Sequence, residues 1–284
     1  MEKAQAAAFQ DNIKTAKKAA RAKARLLLKG LSAAEREEQS QKAAASFLNS
    51  SIYKSSGCVA AFFSLPDEVD ALPIIACAFI DKKRVLLPRI VAGSNAMDFY
   101  ELAAPLGLAS DSVAAPVLGV EAISKNAAPV LGVEAVSDNA APVLGFQSLK
   151  ARGLDASLKS GGQISDVEAV PPRVSALQSL SSALMAQTEA NAWGIREPLE
   201  TLPLIAKKDI PADTAILVPG LAFCKDGRRL GRGKGFYDRY LSELASANPA
   251  FARDGKICGY CMAFQVADNV PTEENDVRVQ ELFC

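Results

Sequence analysis

A three-layer α/β domain, with a mostly parallel sheet covered by helices on both faces, is the fold class this sequence predicts. Three observations point to it. Short apolar runs at 59–63, 84–88 and 215–218 read as buried strands, and they alternate with helical patterns. A glycine-rich basic loop, Gly231-Arg232-Gly233-Lys234-Gly235, stands between a strand and turn on one side and a helix on the other. At 284 residues and 49% hydrophobic, the chain can bury a sizeable core as one or two domains.

The first element is an amphipathic helix over 13–31. Ile13, Ala16, Ala20, Ala24, Leu27 and Leu31 recur at helical spacing, while Lys14, Lys18, Arg21, Arg25 and Lys29 follow another face. A basic face of this kind is ordinarily solvated. The sharper alternative is that Lys17 and Arg21, one turn apart, reach one phosphate together. Ser32 and Glu35 have the spacing of a capping box and start a second helix. Beyond strand 59–63, Glu68 sits past a strand's C-terminal end, where α/β proteins bind ligands. An exposed loop glutamate is the plainer reading of that residue. A helix over 70–80 and a strand over 84–88 follow.

After Phe99 the character changes. Residues 114–126 recur almost letter for letter over 127–139 and again over 140–146, a period of 13 residues. A proline and a glycine in each copy oppose a long helix. Residues 150–187 stay rich in Ser, Ala and Gly. The stretch 101–187 is therefore expected to be a flexible insertion outside the core, dividing one domain into 1–100 and 188–284. Trp193, the only tryptophan, lies beside Gly194 and an X-Pro step. It suits either a ring stacked on a ligand or a packed corner. Strand 215–218 then closes at Pro219-Gly220, and residues 225–228 carry tight-turn chemistry. From Phe236 a helix puts Tyr237, Tyr240, Leu241 and Leu244 on one face. A strand over 256–264 and an acidic loop over 271–276 complete the chain.

Composition narrows the chemistry. Lys+Arg and Asp+Glu are both 32, so bulk attraction to nucleic acid is not expected and anion binding must come from local clusters. No apolar run reaches membrane-span length, and the first residues lack the apolar core of a secretory signal, which makes a cytoplasmic location the expectation. The six cysteines are scattered, and the Cys258/Cys261 pair has neither a second pair nor a histidine to complete a zinc site. They read as buried strand residues. With no histidine in the chain, Ser-His-Asp and Cys-His catalysis are excluded. Chemistry must rest on Lys, Arg, carboxylates, Tyr or Cys.

The basic loop fits neither standard phosphate pattern. Arg228 stands where a P-loop needs its first glycine, Gly235 replaces its hydroxyl residue, and Phe236 occupies the last glycine position of the dinucleotide fingerprint. Its alternating glycines and cations, followed by a helix N-terminus, still describe an anion cradle, and Asp238 at the helix start is a candidate magnesium ligand.

The run PGLAFCKDGRRLGRGKGFYDRYL, from Pro219 to Leu241, closely resembles the signature of the 5-formyltetrahydrofolate cyclo-ligase family. Four further stretches resemble family motifs in the right order. These are the basic pair Lys17 and Arg21, the segment from Phe63 to Val69, Leu87-Pro88-Arg89 with Asn95 and Met97, and Trp193 to Pro198. The loop from Pro271 to Asp276 resembles the family's C-terminal loop. The likeness covers about 10–100 and 190–280, and the long insertion departs from the family's far shorter link.

The resemblance implies a Rossmann-like domain related to the sugar-isomerase and CoA-transferase group. It also implies ATP-dependent closure of 5-formyltetrahydrofolate to 5,10-methenyltetrahydrofolate, with ATP and Mg2+ as cofactors. On that basis Arg232 and Lys234 are the catalytic residues. ATP falls to Lys17, Arg21, Arg229, Leu230, Gly231, Arg232, Gly233, Lys234, Gly235, Phe236 and Tyr237. The folate falls to Phe63, Glu68, Trp193 and Tyr237, and magnesium to Asp238 and Asp276. The expected partners are these small molecules alone, bound by a monomer, without nucleic acid or membrane. Two other readings stay open: a different small-molecule kinase sharing the loop, and a non-enzymatic RNA-binding protein using the N-terminal basic helix.

Overall fold

The computed structural model describes residues 2–105, 182–191 and 194–284. Helix α1 spans Glu2–Lys29 and leads into α2, Ala33–Asn49. The capping box forms as the spacing predicts: Glu35 N donates to Ser32 Oγ at 3.2 Å, and Ser32 N donates to the Glu35 carboxylate at 2.9 Å. Ser50 caps the short α3, Ser51–Ser55, and strand β1 follows at Cys58–Ala60. Helix α4, Leu72–Ile80, begins where the Asp70 carboxylate accepts from Leu72 N at 2.9 Å, two residues later than the pattern alone suggests. Strands β2, Arg84–Ile90, and β3, Met97–Glu101, form the next hairpin.

The second half supplies β4 (Thr188–Ala190), β5 (Arg196–Pro198), β6 (Leu204–Ile205), β7 (Thr214–Val218), β8 (Ala222–Phe223) and β9 (Arg229–Leu230). Helices α5, Phe236–Ala247, and α6, Pro249–Asp254, precede β10, Lys256–Tyr260, and β11, Glu281–Phe283. Among the described residues the main sheet has seven strands in the order β11-β10-β7-β1-β2-β3-β6. The run from β11 to β2 is parallel, and β3 and β6 add antiparallel strands at one edge. This is an α/β fold with a mostly parallel sheet, as expected.

Alternation along a buried strand explains the two covered faces. In β7, Ala215 and Leu217 face one core with Phe47, Ile74 and Ile75, whereas Ile216 and Val218 face another with Phe99, Tyr240 and Leu244. Helices α2 and α4 cover the first face and α5 the second. Each of the buried Val, Leu, Ile and Phe side chains among them contributes about 1.5–3 kcal/mol relative to exposure.

The parallel strands present their C-terminal ends at one edge of the sheet, and the segments that follow β1, β7 and β10 gather there. Two of these strands end earlier than the sequence pattern suggests. β1 stops at Ala60, and Phe62 and Phe63 lie beyond the strand. β10 stops at Tyr260, because the Gln265 side chain accepts from Met262 N at 2.8 Å and folds 263–265 into a 3-10 turn.

The flanks of the expected insertion belong to the fold. Leu102 and Leu184 are both buried in the α2/α4 core. Ala103 N donates to Gln187 Oε1 at 2.6 Å, and Gln187 Nε2 returns a bond to Ala103 O at 3.0 Å. The 13-residue repeat lies outside the described residues. Among the described residues no helix is long and apolar enough to cross a membrane. Cys58, Cys77, Cys224, Cys258 and Cys261 are buried free thiols, but of these Cys58 and Cys258 alone lie in strands: Cys77 is helical, Cys224 and Cys261 fall just past strand ends, and Cys284 is exposed.

Candidate active site

The glycine-rich loop is held between a tight hairpin and a helix start. β8 pairs with β9, and Cys224 N donates to Arg228 O at 2.8 Å to close the turn. At that turn Gly227 has φ +86, and a Cβ there would lie 2.1 Å from Val279 O, so no other residue fits. The loop itself uses left-handed backbone at Gly233 and Gly235. Gly235 is the N-cap of α5 and offers no side-chain acceptor to the helix's first N–H groups. Those donors and the helix dipole make a ready anion site.

Helix α1 packs across this loop. Arg21 Nε donates to Gly231 O at 3.0 Å, and a Cβ on Gly233 would come within 3.3 Å of the Arg21 guanidinium. Lys17 is buried at 6% exposure, with its Nζ 3.1 Å from Glu273 Oε2 and 2.5 Å from Asp276 Oδ2. It therefore fastens α1 to the C-terminal acidic loop.

Arg229 is also buried and donates to Asp238 Oδ1 at 2.6 Å and to Pro219 O at 3.2 Å, with its guanidinium 5.9 Å from the Tyr237 ring centre. Burial pushes the Tyr237 phenol well above its ordinary value, and its hydroxyl has no hydrogen-bond partner among the described residues. Arg232 reaches away from the loop: its Nε donates to Glu68 Oε1 at 2.8 Å and its Nη2 to Asp67 Oδ1. Glu68 Oε2 accepts from Leu65 N at 3.0 Å. Burial pushes the Glu68 carboxyl above the ordinary glutamate value, against the opposing pull of Arg232. Lys234 is exposed and has no ion-pair partner among the described residues.

A cavity of about 630 Å³ joins these parts. Lys17, Arg21, Phe63, Glu68, every residue from Arg229 to Asp238, and Asp276 line it. Trp193 lies outside the described residues, although its neighbours Ile195 and Arg196 reach the cavity wall. Pro88, Ile90 and Met97 form an apolar part of the lining, and such a mix of apolar walls with few polar groups suits an organic ligand.

Sequence reasoning missed Lys14, Arg25, Glu197 and Glu273 as lining residues. The first two were recoverable, because Lys14, Lys17, Arg21 and Arg25 stand three or four residues apart along one stripe of α1. Glu197 accepts from Ile90 N at 3.2 Å, a contact between distant segments that leaves no local signal. Arg239 is another such case: it donates to Asn95 O and Lys234 O and so ties residue 95 to the glycine loop.

The donor set suits a magnesium–nucleotide pair. Asp238 uses Oδ1 for Arg229 and Val277 N, and Asp276 uses Oδ2 for Lys17 and Glu273 N. Each keeps its second oxygen outside these bonds. No cluster of three or more His, Cys, Asp or Glu side chains forms a metal cage among the described residues. Magnesium does not require one, since it commonly takes one or two carboxylates together with substrate phosphates.

Comparison with known proteins bears on the same residues. The model of the 5-formyltetrahydrofolate cyclo-ligase family matches residues 13–146 and 168–284. A mouse (Mus musculus) 5-formyltetrahydrofolate cyclo-ligase is 33% identical over 107 residues, which is 36% of this chain and 49% of that protein. The Mycolicibacterium smegmatis enzyme of the same name is 38% identical over 96 residues, 33% of this chain and 44% of that one. The matched part thus spans about half the length of these curated relatives. Among solved structures, Aquifex aeolicus 5,10-methenyltetrahydrofolate synthetase aligns with a TM-score of 0.54 at 21% identity, covering 94% of this chain and 88% of that one. That likeness speaks to the fold.

Proposed function

Because the chain belongs to the 5-formyltetrahydrofolate cyclo-ligase family, we propose that it uses ATP to close 5-formyltetrahydrofolate to 5,10-methenyltetrahydrofolate, releasing ADP and phosphate. The observation that carries this reading is the convergence of the glycine loop, α1, the loop after β1 and the 273–276 loop on one cavity.

A formamide oxygen is a poor leaving group, so it first attacks the γ-phosphorus of ATP and ADP departs. N10 then attacks the activated formyl carbon, the C–O bond breaks, and phosphate leaves carrying the formyl oxygen and the N10 proton. Such chemistry needs positioning and charge neutralisation more than a protein nucleophile, which suits a chain without histidine.

In this reading the loop N–H groups, Arg232 and Lys234 receive the transferring phosphoryl group. Lys17, Arg21 and Arg229 shape the nucleotide side, with Lys17 acting through the carboxylates it holds. Glu68 accepts hydrogen bonds from the pterin, and Phe63 and Tyr237 pack beside it. Asp238 and Asp276 would hold magnesium, which when bound neutralises phosphate charge. The same reading takes the protein as a cytoplasmic monomer acting on small molecules alone.

The test is ATP hydrolysis dependent on 5-formyltetrahydrofolate, followed by the near-ultraviolet absorbance of the methenyl product. Lys234→Ala should lower kcat by about 10²-fold or more without moving Tm, since Lys234 is exposed and holds no ion pair among the described residues. Unchanged turnover would remove the loop from the chemistry. ATP hydrolysis indifferent to the folate would favour the kinase reading instead.

A further inference from the structure

Two halves of the cavity meet at one side chain. Arg232 leaves the glycine loop, and its guanidinium bridges two carboxylates in the loop after β1: Nε to Glu68 at 2.8 Å and Nη2 to Asp67. The two carboxylates differ in surroundings. The Glu68 side chain is 9% exposed and lines the cavity, whereas that of Asp67 is 34% exposed and does not. A phosphoryl group that recruits Arg232 through Nε must compete with Glu68 for that donor. A pterin that recruits Glu68 must compete with Arg232 for the same oxygen. Each ligand therefore removes a contact that opposes the other, while Asp67 is claimed by neither.

We propose that Asp67 is a positioning residue that couples the two substrate subsites. When a folate takes over Glu68, the Asp67 contact keeps Arg232 tethered beside the cavity and presents it to the nucleotide's phosphates. This rests on the assignment of Glu68 to the folate and of Arg232 to the phosphoryl group. A charge-assisted contact made through Nη2 leaves Nε and Nη1 to turn toward an anion, so the tether and the phosphate contact are compatible.

Coupling of this kind is reciprocal and measurable. Calorimetry should give a Kd for a non-hydrolysable ATP analogue with Mg2+ that is about fivefold or more tighter when 5-formyltetrahydrofolate is saturating. The Kd of the folate should tighten by the same factor when the analogue is saturating. In Asp67→Ala the factor should fall below about twofold, and Asp67→Glu should restore it. A loss of packing alone would weaken both ligands without touching the ratio. Independent binding in the unaltered protein overturns the coupling, a full factor retained in Asp67→Ala overturns the part given to Asp67, and either result leaves the proposed function standing. Failure of the folate to bind at all overturns both.

Discussion

Glu68 and Arg232 are the pair in which charge, burial and proposed chemistry are most tightly linked. Burial raises the Glu68 carboxyl above its ordinary value of 4.5, and Arg232 opposes that rise. A raised acid holds more protons folded than unfolded, so its stability contribution is full below 4.5 and is lost as pH rises through the folded value. In the proposed function ligand binding runs the other way, because there the carboxylate form is the one that would accept the pterin's hydrogen bonds. Affinity for 5-formyltetrahydrofolate should therefore fall with acid at a pH above the ordinary glutamate range, and Arg232→Gln should move that midpoint higher still. Calorimetric titration across pH checks both, and an unmoved midpoint in Arg232→Gln would count against the electrostatic link. Gly227 poses a purely steric case. Its φ of +86 and the 2.1 Å approach of a would-be Cβ to Val279 O predict that Gly227→Ala costs about 1–3 kcal/mol, read as a lower Tm in thermal unfolding.

Helix α1 shows what an element's periodicity reveals and what it conceals. Spacing placed Lys14, Arg21 and Arg25 on a basic face with Lys18 and Lys29 and singled out Lys17 and Arg21 as a phosphate clamp, but it did not assign Lys14 and Arg25 to the site. The helix's actual anchoring was not legible, since Glu273 and Asp276 lie more than 250 positions away and only the folded chain brings them to Lys17. Capping at Ser32 was readable because its partner is three residues off, whereas β11 and β6 are two- or three-residue strands whose neighbours are set by the sheet. Removing the Lys17 ammonium leaves two partly buried carboxylates facing each other. Lys17→Ala should therefore cost about 2 kcal/mol or more, discounted from the fully buried case by the carboxylates' partial exposure. Hydrogen exchange should report the change as lost protection in α1 and around 273–276 ahead of the sheet. Uniform loss across the molecule would mean that α1 is not separately docked by this contact.

For the whole molecule, a mostly parallel sheet was legible because β7 is apolar on both faces and strands alternate with helices. Convergence on one cavity followed from topology: parallel strands deliver their C-terminal loops to a common edge, so motifs far apart in sequence arrive together. The join between the two halves was the least legible feature, because a repeat without strand or helix periodicity says nothing about how its ends are held. Here the structure is specific. β3 pairs with β6 across the join, Leu102 and Leu184 share one core, and Ala103 and Gln187 exchange two hydrogen bonds. Chain entering and leaving the 106–181 segment is thus already brought together by the fold. Replacing that segment with a short Gly/Ser linker, roughly tenfold shorter, should reduce the loop-closure entropy by about 2 kcal/mol and leave these contacts in place. The shortened protein should show a Tm equal to or above that of the full chain and retain folate-dependent ATP hydrolysis. A fall in Tm would mean that 106–181 stabilises the domain through contacts of its own, and a loss of turnover at unchanged Tm would assign the segment a part in catalysis.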